Sequence, residues 1–75
     1  MEFRVFQEKI DRLVKESGES AKVLRYENDQ DKGLYIARFS NGLNIAQAYN
    51  GLKATFWYDE TYRAKPPKQG IMAVL

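Results

Sequence analysis

Apolar residues recur at helical spacing along the start of the chain. Phe3, Phe6, Ile10, Leu13 and Val14 fall on one stripe and predict an amphipathic helix over residues 2–17. Glu2 and Glu8 lie toward its start, where the helix dipole favours acids. Glu8–Arg12 and Asp11–Lys15 are acid-first i,i+4 pairs, each worth roughly 0.2–0.5 kcal/mol. Gly18 predicts the stop as the first residue beyond the helix, with Ser17, Glu19 and Ser20 completing the exit. A helix of this length is marginal in isolation, so its apolar stripe has to dock on something.

The rest of the chain is broken into short β-rich runs. Residues 22–28 predict a first strand, and Asp29 to Gly33 a polar loop. Residues 34–40, 43–49 and 52–58 predict three more strands. Asn41-Gly42 and Asn50-Gly51 join these three. Asn-Gly between β-rich runs is a strong hairpin signal, because a type I′ turn needs φ > 0 at both central residues. Leu follows both Asn-Gly pairs, but one echo is two turns of a kind, not a repeat architecture. Two-residue turns set the register, placing Ser40 opposite Leu43 and Tyr49 opposite Leu52. One sheet face then carries the rows Leu34–Tyr49–Leu52, Ile36–Gln47–Ala54 and Arg38–Ile45–Phe56, extended by Leu43 and Tyr58. The other carries Tyr35–Ala48–Lys53, Ala37–Ala46–Thr55 and Phe39–Asn44–Trp57. Buried faces favour branched and aromatic side chains, so the first face is expected to receive Phe6, Ile10 and Leu13 over Ile36, Ile45 and Phe56. The inverse arrangement also has a rationale, since an alanine floor lets a helix approach closely while aromatics wrap it.

After Asp59-Glu60 the pattern breaks. Thr61 to Gln69 contains Tyr62, Arg63, Lys65, Pro66, Pro67 and Lys68. Consecutive prolines exclude helix and central strand and favour an extended segment. Ile71–Leu75 is wholly apolar and would be an aggregation liability if exposed. It is expected to be ordered, as a closing strand on a sheet edge or as a segment docked on a second copy. The predicted fold class is therefore α+β. One N-terminal amphipathic helix packs on an antiparallel meander sheet of four strands, or five with the terminal segment. Residues 1–60 form the domain and 61–75 a basic, proline-containing tail.

Composition narrows the chemistry. Seventy-five residues, 44% apolar and 29% charged, make one small domain. A chain of this size buries only about 60–65% of its unfolded surface, so the core is thin. There is no cysteine, which removes disulfides, thiolate metal sites and thiol nucleophiles. There is no histidine, which removes the commonest general base and zinc ligand. No apolar run approaches the roughly 20 residues that span a bilayer, and no basic-then-apolar leader opens the chain. The expectation is a soluble, cytoplasmic domain without cofactor, metal or membrane contact.

The net charge of +2 hides an asymmetry. Residues 1–60 sum to −1, whereas 61–75 hold Arg63, Lys65 and Lys68 without an acid and sum to +3. A near-neutral body argues against coating nucleic acid by bulk charge. Ser17, Ser20 and Ser40 sit at helix ends or turns, where serine is expected structurally, and the acids lie on the helix surface and in loops. No catalytic residue is expected. Asp29-x-Asp31-x-Gly33 has the opening of a calcium loop, but its glycine comes one place early and Phe39 stands where the bidentate Glu belongs. Gly33, Gly42 and Gly51 are each accounted for by a turn, so no phosphate loop is present. Arg63–Lys68 lacks the proline spacing of SH3-type ligands. A helix followed by a strand meander also opens the double-stranded-RNA-binding domains. Those need a second, Lys-rich helix after the sheet, which Pro66-Pro67 forbids.

The remaining constellation is aromatic. Tyr35, Phe39 and Trp57, with Asn44 and Lys53 among them and Tyr62, Arg63, Lys65 and Lys68 in the tail, are the candidate partner-binding residues. Tyr, Trp and Arg dominate protein interface hot spots. The expected function is a non-catalytic interaction module that binds another protein through this face or the tail, as an inhibitor, adaptor or subunit. The alternative is single-stranded nucleic acid stacked on the aromatics. A homodimer through Ile71–Leu75 or a sheet edge is a further expectation.

Overall fold

A computed structural model describes residues 1–17, 22–59 and 69–72. In chain order the elements are α1 (Phe3–Ser17), β1 (Val23–Asp29), β2 (Leu34–Phe39), β3 (Leu43–Ala48), β4 (Ala54–Tyr58) and β5 (Gln69–Met72). The strands form an antiparallel meander in the order β1-β2-β3-β4-β5, with α1 against one face. This is the expected α+β arrangement.

The apolar stripe positions α1. Phe6 and Ile10 are fully buried, and Phe3, Leu13 and Val14 pack around them half-buried. The first helical bond runs from the Phe6 N–H to the Glu2 carbonyl at 3.2 Å. Glu8 pairs with Arg4 at 3.9 Å rather than with Arg12, on an exposed surface where such pairs contribute little. Asp11 accepts the Tyr26 hydroxyl at 3.0 Å, tying the helix to β1. The expected stop at Gly18 lies outside the described residues.

The two Asn-Gly turns depart from type I′. Positive φ occurs at Gly33, Gly42 and Gly51 and at no non-glycine residue among those described, so neither asparagine is in the left-handed region. At the first turn the Gly42 N–H donates to the Phe39 carbonyl at 3.2 Å, with φ of 93° at Gly42. Ser40, Asn41 and Gly42 thus form a three-residue loop with a glycine bulge. That shifts β2 by one residue against β3. Arg38 lies opposite Asn44 and Ala37 opposite Ile45, not Arg38 opposite Ile45 as the two-residue turn implied. At the second turn the Gly51 N–H donates to the Ala48 carbonyl at 2.8 Å, and Ala48 and Lys53 close a four-residue loop through a 3.0 Å bond. Loops of four and two residues centred on Asn50-Gly51 give the same pairing, so Ile45 opposite Phe56 holds. Ser40, Tyr49 and Leu52 belong to loops rather than strands.

A one-residue shift turns every side chain of a strand to the other face. Tyr35, Ala37 and Phe39 therefore look toward α1 and join Phe6, Ile10 and Ile45 in the core. Ile36, expected under the helix, is buried on the opposite face at 5% exposure. Of the predicted rows, Ile45–Phe56 stands, while Leu34, Ile36 and Arg38 change sides. On β2 the inverse arrangement prevails: Ala37 is the floor and aromatic rings surround the helix. Phe3 stacks on Tyr35 with centroids 5.1 Å apart, and Phe6 and Tyr49 lie 5.8 and 4.7 Å from the same ring. The Tyr35 hydroxyl donates to the Met1 carbonyl at 2.7 Å, so its polar tip is satisfied inside the core.

Both edges of the sheet have distinct features. A bulge between Val23 and Arg25 leaves Leu24 69% exposed on β1. On the far edge β5 pairs Trp57 with Gln69 and Ala54 with Met72. The terminal strand begins earlier than Ile71–Leu75, and residues 73–75 lie outside the described residues, as does 60–68.

Candidate interaction face

The sheet face turned away from α1 is built from paired positions. One row crosses it as Arg25, Arg38, Asn44 and Trp57, and the next as Glu27, Ile36, Ala46 and Thr55. Ile36 and Ala46 are buried at 5% and 1%, and form an apolar floor beside a polar row.

The polar row is continuously hydrogen-bonded. Arg25 Nε donates to Glu27 Oε2 at 2.8 Å. Arg38 Nε donates to the same oxygen, and Arg38 Nη2 to Glu27 Oε1 at 3.4 Å. Arg38 Nη1 reaches Asn44 Oδ1 at 3.3 Å. Asn44 Nδ2 continues to Asp59 Oδ1 at 2.9 Å and to the Gly42 carbonyl at 3.3 Å. Asn44 is almost fully buried, and both ends of its amide are engaged, as a buried amide requires. The two guanidiniums, Arg38 foremost, hold the Glu27 carboxyl below its ordinary range. The result is a fixed line of charge and amide groups from β1 to the residue after β4. At the β4 end of that row stands Trp57, partly exposed.

Of the residues singled out from sequence, Asn44 and Trp57 share this face and stand opposite each other. Lys53 is exposed beside the β3–β4 loop, its carbonyl bonded to Ala48. Tyr35 and Phe39 are on the helix side, at 7% and 4% exposure, and are core residues. Tyr62, Arg63, Lys65 and Lys68 lie outside the described residues. Arg25, Glu27, Arg38 and Asp59 were not singled out. Their signal is the alternation Arg25, Glu27, Asp29 along β1, but it points to Arg38 only once the three-residue turn sets the register.

Among the described residues no group of three or more carboxylates is placed to hold a metal ion. The Asp29–Gly33 segment is a turn, in which Asp29 Oδ1 accepts the Lys32 N–H at 3.1 Å and Gly33 has φ of 67°. No helix among the described residues is long and apolar enough to cross a membrane. No family model, curated protein or solved structure matches this chain.

Proposed function

We propose that this chain is a small non-catalytic interaction module that binds another protein through the sheet face opposite α1, with Trp57 as its anchor. The observation that carries this reading is the partly exposed indole opposite Asn44, beside the hydrogen-bonded Arg25, Glu27, Arg38 and Asn44 side chains. Tryptophan and arginine are the residues that most often dominate interface energetics. Side chains already ordered before contact lose less entropy on binding. A chain without histidine or cysteine lacks the commonest catalytic groups, which favours binding over catalysis.

The nucleic-acid alternative has less support. It rested on three rings sharing one face, and two of them, Tyr35 and Phe39, are in the core. Among the described residues Trp57 is the aromatic that this face presents.

The test is affinity capture from the source organism with wild-type and Trp57→Ala baits, each with and without nuclease. An Arg4→Ala bait, altered on the exposed helix surface, serves as control. The expected result is a protein retained through nuclease treatment by wild type and control and lost with Trp57→Ala. Loss of the captured material on nuclease treatment, or equal retention by Trp57→Ala, overturns the reading.

A further inference from the structure

The two Asn-Gly pairs invite a chemical comparison. Glycine after asparagine leaves the backbone nitrogen unhindered by a Cβ, so that nitrogen can approach the asparagine side-chain amide. Both pairs here are followed by leucine, so the immediate downstream sequence cancels. Their turn bonds also correspond. Asn41 Oδ1 accepts the Leu43 N–H at 3.0 Å, and Asn50 Oδ1 accepts the Leu52 N–H at 2.9 Å. In each turn the glycine N–H donates to the carbonyl three residues back, at 3.2 Å for Gly42 and 2.8 Å for Gly51.

The surroundings differ. Gly42 is buried, and its carbonyl receives the Asp59 N–H at 2.8 Å and Asn44 Nδ2 at 3.3 Å. That turn is held from β3 and from the end of β4 together. Asn50 is exposed, and the next leucine along, Leu52, is 72% exposed. The Asn50 loop is tied outward through Tyr49, whose carbonyl accepts the Met1 ammonium at 2.6 Å, whose N–H donates to the Gly33 carbonyl at 3.0 Å and whose hydroxyl donates to Asn28 Oδ1, and through the Gly51 carbonyl, which accepts Gln47 Nε2 at 3.1 Å. None of these ties involves the Asn50 side chain. Exposed loops open locally at low free-energy cost, whereas buried turns open only with their surroundings.

We propose that Asn50 is a site of spontaneous deamidation in the folded protein, and that Asn41 is protected by its turn. After base removes its proton, the Gly51 nitrogen attacks Asn50 Cγ. The N–Cγ bond forms, the Cγ–Nδ2 bond breaks, and Nδ2 leaves as ammonia by taking back the proton that the base removed. Water then opens the succinimide at either carbonyl, giving aspartate or isoaspartate with no change of oxidation state. The short Gly51 bond slows the reaction relative to an unfolded chain, and access of base sets the order between the two sites. Isoaspartate would lengthen the backbone of the β3–β4 loop. The reaction leaves the Asn44–Asp59 end of the sheet, at the opposite end of β3, chemically unchanged.

The experiment is incubation of the native protein at mildly alkaline pH, with peptide mapping by mass spectrometry over time and Asn50→Asp as a mass standard. A parallel sample is held in denaturant. In the native sample the amide-to-acid mass gain is expected several-fold faster at Asn50 than at Asn41. In denaturant the two rates converge, and both exceed the native rate. Hydrogen exchange is expected to be faster at the Gly51 amide than at the Gly42 amide. Equal native rates, an earlier reaction at Asn41, or an unreactive native Asn50 while the unfolded chain converts would each overturn the proposal.

Discussion

At Gly42 the backbone turns with φ of 93°, a region where an L side chain meets the following carbonyl at a cost of roughly 1–2 kcal/mol. Gly42→Ala is therefore expected to lower unfolding free energy by about that amount in urea titration, while Asn41→Ser, at a residue of negative φ and with a hydroxyl still able to accept the Leu43 N–H, should cost less. A type I′ turn would make both substitutions costly. Two ionisable side chains carry opposite pH signatures. Arg38, then Arg25, hydrogen-bond to Glu27 and depress its pKa below 4.5. Its contribution is thus present above that value and lost as pH falls through the depressed folded pKa. Glu27→Gln should flatten the acid limb of a stability–pH curve, and an unchanged limb would mean that the pair is decorative. Tyr26 has the reverse sign. Burial first, then the bond and the charge of Asp11, push it from 10.0 up to about 12. Its contribution is present below 10 and lost as pH rises toward about 12, so Tyr26→Phe should flatten the alkaline limb.

The helix is anchored by two side chains. Phe6 and Ile10 are wholly buried against Tyr35, Ala37, Phe39 and Ile45. Truncating either to Ala is expected to cost about 2–5 kcal/mol, a large share of what so small a domain possesses. Leu13→Ala, at a half-buried position, should cost less, and a Leu13 effect equal to that of Phe6 would show that the helix sits differently. The helix was legible because five apolar residues at helical spacing admit one docking stripe. The strands were legible from their turn residues, and the β3–β4 pairing survived because two- and four-residue loops share a centre. The β2–β3 pairing was not legible. Asn-Gly is compatible with a two-residue type I′ turn and with a three-residue turn ending in a glycine bulge, and these differ by one residue of register. That residue put Tyr35 and Phe39 on the wrong side and hid the Arg38–Asn44 contact, because a cross-strand neighbour exists only in a given register. Asn44 and Trp57, paired across the other hairpin, kept their relation.

Taken whole, the molecule is a sheet with unlike faces. One is closed by α1 over an aromatic core; the other carries a fixed polar row that runs to Asp59, with Trp57 opposite Asn44. The β1 edge has a bulge at Leu24 and the charges of Arg25, Glu27 and Asp29, devices that discourage edge-to-edge pairing. On the proposed function, stability and binding should separate by face. Trp57→Ala is expected to weaken partner binding by about 2 kcal/mol, roughly 30-fold in Kd. It should cost less stability than Phe6→Ala, since Trp57 is partly exposed and Phe6 is not. Arg38→Ala should also impair binding, because it leaves Glu27 with Arg25 alone and Asn44 Oδ1 without its donor. Salt distinguishes the class of partner. A protein held by an indole and a pre-paired charge row should lose little affinity as salt is raised. Single-stranded nucleic acid held by about four phosphate contacts should instead show a log–log slope of roughly −3. Isothermal titration of wild type and Trp57→Ala at low and moderate salt reads both quantities together. A steep slope that Trp57→Ala leaves unchanged would move recognition from the sheet face to the cations of the tail.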